Sequence, residues 1–217
     1  MGDYLKDVEN IKDLLMQIPT VWDGKRCILE LKEADYNWRQ MEWWAFYFEY
    51  KARQLLKKCF TVPGDRFGNV TFDLKGSINW DFKSSAIKTN NHTVILNDKE
   101  SMDYSVKNDS YHGEIIALCD VEYNDADRTF QKWHTELKGG KSEYEEERER
   151  RTSVSRYRKT KAEVTEILLM ILNANDLKDL PLMHQGRNSD GSPRKVKYML
   201  NLENIENIEH YQIKFKR

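Results

Sequence analysis

Three side chains in one short stretch have the types and spacing for metal-assisted phosphodiester chemistry. They are Asp73, Asp81 and Lys83, within VTFDLKGSINWDFKSSA. The stretch predicts a hairpin, with strands at 70–76 and 78–86 and a turn at Gly76-Ser77. Strand residues alternate faces, so Val70, Phe72 and Leu74 oppose Thr71, Asp73 and Lys75. On the second strand Ile78, Trp80 and Phe82 oppose Asn79, Asp81 and Lys83. Two carboxylates and a lysine then emerge together beside an apolar floor. Carboxylates are hard oxygen ligands for Mg²⁺, which keeps waters for a substrate phosphate. Such a metal activates water and stabilises charge at phosphorus. A neighbouring lysine orients the attacking water and offsets the negative charge.

The bare pattern acid–any–Lys is weak, because it occurs seven times, starting at Asp23, Glu30, Glu49, Asp73, Asp81, Glu136 and Asp176. Context singles out Asp81-Phe82-Lys83: an alternating strand, an acid eight residues upstream, and a long helix just before. Asp65 with Asp73-Leu74-Lys75 repeats the spacing but starts in a Gly-flanked loop. The bland alternative is an exposed sheet face carrying a salt bridge.

These side chains need a scaffold. Residues 36–60 predict a long helix, capped by Asn37 and followed by Pro63-Gly64. Trp38, Met41, Ala45, Phe48, Ala52 and Leu55 form its expected core side. Glu42 and Glu49, seven apart, share the other face with Arg39, Phe46 and Arg53 nearby. Either glutamate, or both, could join a metal; the competing role is surface pairing such as Glu49 with Arg53. Leu5, Val8, Ile11, Leu14 and Leu15 predict a helix over 3–17. Strands are expected at 92–98 and 113–123, with a polar loop between them. Helices are expected at 127–138, stopped by Gly139-Gly140, and at 155–173, with an alternating segment at 210–216. This order predicts one α/β domain over 1–217, a mixed sheet flanked by helices.

The 217 residues, with 6 Trp, 11 Tyr and 8 Phe, can build one sizeable core, which excludes a disordered polyelectrolyte. No apolar run approaches the roughly 20 residues of a membrane span. The acidic, amphipathic start lacks the features of a signal peptide. Cys27, Cys59 and Cys119 lie far apart, which points to a reducing, cytoplasmic setting rather than disulfides or zinc. His92, His112, His134, His184 and His210 show no metal-ligand spacing and are expected to be surface or hydrogen-bonded residues.

A net charge of −1 argues against a nucleic-acid partner only if the charge is evenly spread, and it is not. Residues 148–161 hold seven bases and one acid: Arg148, Arg150, Arg151, Arg156, Arg158, Lys159 and Lys161, with Glu149. Interleaved hydroxyls suit phosphate contacts, and arginines can also read guanine edges. The alternative is a solvated helix paired with the acidic EYEEERER just before it. A second basic loop carries Arg187, Arg194, Lys195 and Lys197.

The D-x7-D-x-K hairpin resembles the PD-(D/E)xK nuclease core. More narrowly, NWRQMEWWAFYFEYKARQLL followed by FGNVTFDLKGSINWDFKSSA is similar to a pattern found in type II restriction endonucleases. The resemblance covers about residues 36–90, and Phe72 stands where the family usually has proline before its first acid. It implies a restriction endonuclease-like core and Mg²⁺-dependent cleavage of double-stranded DNA, leaving 5′-phosphate and 3′-hydroxyl ends. It further implies Asp73 and Asp81 as metal ligands, Phe82 and Glu42 among the metal-binding residues, and Lys83 as the water-positioning residue. Palindromic cutting would require a homodimer.

Overall fold

The computed structural model describes residues 4–63, 72–87, 92–141, 143, 146, 150, 158–187 and 191–215. The chain is an α/β protein built on a six-stranded mixed sheet. It has six α-helices among the described residues and a second, small antiparallel sheet. The strands of the main sheet are β1 (Val21–Asp23), β2 (Leu74–Lys75), β3 (Asn79–Ala86), β5 (His112–Glu122), β6 (Lys161–Leu172) and β9 (Glu209–Lys214). They run in the order β1-β6-β5-β3-β2, with β9 also paired to β6. Among the described strands, β3 and β5 form the one parallel pair. The small sheet joins β4 (Thr93–Asp98), β8 (Lys197–Asn201) and β7 (Leu182–Met183).

The two faces of the main sheet bury separate cores. Trp80, Phe82, Ile115, Ala117, Ile167, Leu169 and Ile171 face α1 (Tyr4–Leu15), α2 (Gly24–Glu33) and α3 (Trp43–Leu56). Ile116, Leu168, Met170 and Leu172 face the small sheet, α4 (Lys99–Asp109) and α6 (Ala174–Asp179). A fifth helix, α5 (Thr129–Leu137), adds Phe130 to the first core.

Several sequence expectations are corrected here. The helix expected at 155–173 is not found in its described part, where Lys161–Leu172 form strand β6. Along ILLMIL successive side chains enter opposite cores, and β6 is bonded to β5 on one edge and to β1 and β9 on the other. An apolar run covered on both faces has no helical stripe for the sequence to display. Residues 99–109, expected as loop, form α4. Asp98 Oδ1 caps it by accepting from Ser101 N at 3.0 Å, and the helix buries only Ser101, Met102, Ser105 and Val106. The long helix starts at Trp43 rather than Asn37, which sits at φ 38°. Its buried residues are Trp43, Trp44, Tyr47, Phe48, Ala52, Arg53 and Leu56, so the core side is rotated from the one expected. Helices α2 and α6 and strands β1, β7 and β8 were absent from the expected set.

The hairpin that carries Asp73, Asp81 and Lys83 is anchored from outside. Buried Asp7 of α1 accepts through Oδ2 from Ser77 N at 2.8 Å, Ser77 Oγ at 2.7 Å and Trp80 Nε1 at 3.2 Å. A Cβ on Gly76 would come within 2.4 Å of that carboxylate. Gly113 is equally hemmed in, since a Cβ there would lie 2.2 Å from the Trp80 ring. We expect Gly113→Ala to cost about 1–3 kcal/mol through overpacking, measured as a lowered urea midpoint at unchanged m-value. A midpoint equal to wild type would refute this packing account.

Candidate metal-binding and catalytic site

The parallel register of β3 and β5 places Asp81 opposite Glu114 and Asn79 opposite His112. In-register neighbours in parallel strands point to the same face, so Asp81, His112 and Glu114 converge there. All three are buried, at 3 %, 0 % and 0 % exposure. His112 Nε2 lies 3.3 Å from Asp81 Oδ2 and 3.4 Å from Glu114 Oε1. Asn97 of β4 closes the group from above: its Nδ2 donates to Asp81 Oδ2 at 2.7 Å, and its N–H to Glu114 Oε1 at 3.4 Å. These three offer ligand atoms all within 4.8 Å of one another.

Lys83, two residues beyond Asp81 on the same face, places Nζ 3.7 Å from Glu114 Oε2. Asp73 precedes β2, and its N–H donates to Trp80 O at 3.0 Å. Its Oδ2 accepts from Phe82 N at 2.9 Å, which lays the carboxylate alongside β3. Glu49 reaches in from α3; its Oε1 accepts from Tyr36 OH at 2.6 Å and lies 3.5 Å from Arg53 Nη1. Buried Arg53 also donates to Tyr36 OH at 3.0 Å and to Pro63 O at 3.1 Å.

Mutual charge ties this set together. Burial, then the charge of Asp81, pushes the Asp73 carboxyl up to about 6, against the pull of Lys83. Burial, then the charge of Asp73, pushes Glu49 up to about 7, against the Tyr36 hydrogen bond and Arg53. Burial also raises Asp81, opposed by Lys83 and His112. Glu114 is lowered on balance, since Lys83 and His112 outweigh its burial. Burial lowers Lys83, but Glu114, Asp81, Asp73 and Glu49 together overturn this and raise it. The surrounding acids therefore favour the charged ammonium form of Lys83.

Of the residues expected from sequence, Asp73, Asp81, Lys83 and Glu49 meet here. Glu42 does not: it flanks the start of α3, exposed, where it accepts from Trp44 Nε1 at 2.8 Å and pairs with Lys159. The Phe82 side chain is core, edge-on to Phe48 at 5.8 Å, while its N–H serves Asp73. Lys75 turns away to pair with Asp109 at 2.6 Å, and Asp65 lies outside the described residues, so the alternative spacing gains no support. Glu114, His112 and Asn97 were not foreseen as site residues, and His112 is a buried site histidine rather than a surface one. Glu114 had a signal: a carboxylate inside GEIIALC, a strand expected to be buried, needs a partner.

Arg148, Arg151 and Arg156 lie outside the described residues. Arg150 is exposed and 3.9 Å from Glu146. Arg158 is buried at 5 % exposure. Lys159 pairs with Glu42, 5.1 Å from the Trp44 ring centroid, and Lys161 pairs with Glu122 at 2.9 Å. In the second basic segment Arg187 donates to Gly191 O at 2.6 Å, Arg194 is exposed, and Lys195 approaches Asp98 and Glu100 at 3.4 Å. Lys197 is half-buried at the start of β8; burial and then the Lys83 charge lower it, which places it beside the carboxylate cluster. No helix among the described residues is long and apolar enough to cross a membrane. No family model, curated protein or solved structure matches this chain.

Proposed function

We propose that the chain is a Mg²⁺-dependent endonuclease that hydrolyses phosphodiester bonds of double-stranded DNA. In this reading it has a PD-(D/E)xK core and acts as a type II restriction endonuclease. It would cut at a short specific sequence and leave 5′-phosphate and 3′-hydroxyl ends, working as a homodimer. The observation that carries the reading is the Lys83 ammonium held among the carboxylates of Asp73, Asp81, Glu114 and Glu49 beside a hairpin packed against α3. A surface salt bridge needs one acid per base. An excess of buried carboxylates suits a divalent cation.

Asp73, Asp81 and Glu49 would hold the cation, which when bound supplies a nucleophilic water at neutral pH and charge relief at phosphorus. Lys83, its charged form favoured by the surrounding acids, orients the attacking water and the scissile phosphate. Lys197 on the rim adds a phosphate contact, joined by Arg194 and the basic residues around 148–161. The test is digestion of plasmid and phage DNA with Mg²⁺ against EDTA, followed by end mapping. Discrete bands with 5′-phosphate ends are expected. Absence of Mg²⁺-dependent cleavage across diverse DNA would overturn the reading.

A further inference from the structure

We propose a second, interior cation site in which Asp81 Oδ2, Glu114 Oε1 and His112 Nε2 bind a tetrahedral d-block dication such as zinc. The site is separate in depth from the solvent-side cluster of Asp73, Glu49 and Lys83. Lys83 keeps 19 % side-chain exposure and Glu49 12 %, whereas His112 and Glu114 have none.

Two independent observations point to a ligand. Neither ring nitrogen of His112 makes a hydrogen bond, although the side chain is fully buried. A buried imidazole left unsatisfied on both nitrogens is costly, and its approaches to two carboxylates lack hydrogen-bond geometry. The two spacings from the imidazole also fit. The imidazole nitrogen lies 3.3 and 3.4 Å from the two oxygens. Zinc bonds of about 2.0–2.1 Å at tetrahedral angles separate ligand atoms by about 3.3–3.4 Å, whereas octahedral Mg²⁺ brings adjacent ligands to about 3.0 Å.

The surroundings match as well. Asn97 holds both acceptor oxygens by hydrogen bonds, the kind of outer contact that orients metal ligands. Lys83 occupies the other oxygen of Glu114 and leaves Oε1 to the site. An imidazole in the set favours zinc or cobalt over magnesium. The role is to fasten β3, β4 and β5 beneath the catalytic hairpin, so the ion would stabilise the fold with or without DNA.

The experiment uses the full chain, stripped by chelator, confirmed folded by circular dichroism, and titrated with Co²⁺ and then Zn²⁺ in the absence of DNA. One equivalent of Co²⁺ should give the intense visible bands of a tetrahedral complex, and Zn²⁺ should displace it. His112→Ala should abolish the bands and weaken Zn²⁺ binding by about 100-fold or more. His92→Ala should leave both unchanged. If His112→Ala does not fold, X-ray absorption of the zinc-loaded wild type decides, with one imidazole nitrogen expected in the coordination shell. No stoichiometric uptake, a weak octahedral cobalt spectrum, or a zinc shell without imidazole would overturn the proposal. DNA cleavage plays no part in these readouts, so failure here is distinguishable from failure of the nuclease reading.

Discussion

Asp81→Asn is expected to remove Mg²⁺-dependent DNA cleavage by at least about 10³-fold while the chain stays folded. The size follows from the chemistry: a carboxylate ligand supplies several kcal/mol of charge stabilisation to the bound cation, and each ~1.4 kcal/mol is tenfold in rate. Apart from any stabilisation by an interior dication bound at Asp81, the fold should tolerate the change because the substitution is isosteric and burial already disfavours the Asp81 charge. An amide oxygen can still accept from Asn97 Nδ2. Lys83→Gln should fall with it. Glu49→Gln should also lose rate, whereas Glu42→Gln should retain wild-type kcat, because Glu42 pairs with Lys159 away from the cluster. Rate is read with saturating DNA and Mg²⁺, and fold by thermal melting of the same preparations. An Asp81→Asn protein that cuts at the wild-type rate would end the catalytic reading. One that is inactive only because its melting point has collapsed would place Asp81 in structure instead.

The parts of the site that share a local pattern were legible in sequence, and those assembled by long-range pairing were not. The alternation around Trp80, Asp81, Phe82 and Lys83 announces which side chains leave β3 together, because strand period is local. Glu114 and His112 come from a strand thirty residues on, and only the β3–β5 register brings them beside Asp81. Nothing in GEIIALC specifies that register. The same limit explains β6: apolar on both faces, it reads equally well as a buried helix until its neighbours on both edges are known. Glu42 and Glu49 were indistinguishable as a helical pair. They separate only because α3 begins at Trp43, which leaves Glu42 outside the helix and Glu49 mid-helix against Tyr36 and Arg53. In the basic run, sequence shows charge but not its partners; Lys159 and Lys161 each meet an acid supplied by a distant element.

Stability in chelator is expected to fall between pH 5 and pH 8, and Mg²⁺ to abolish that fall. Glu49 is pushed up to about 7 and Asp73 to about 6, well above the values near 4 of unfolded chains. Between these limits the folded chain holds protons that the unfolded chain has released, so stability drops as pH rises. The stabilisation is complete below about pH 4 and lost as pH passes 6 and then 7. Either carboxyl taken alone accounts for about 3 kcal/mol. The pair gives less than the sum, since protonating one relieves its repulsion on the other. Glu114 works in the opposite sense, because a lowered carboxyl loses its contribution as pH falls, so the optimum should sit near pH 5 rather than at either end. A divalent cation at Glu49, Asp73 and Asp81 favours their ionised forms, so added Mg²⁺ should stabilise strongly at pH 8 and little at pH 5. Glu49→Gln should flatten the chelator profile above pH 6. Urea unfolding across pH 5–8, with EDTA and with Mg²⁺, measures all of this. A chelator profile that rises toward pH 8, or a Mg²⁺ effect independent of pH, would show that these carboxylates are not held protonated by one another and are not where the cation binds.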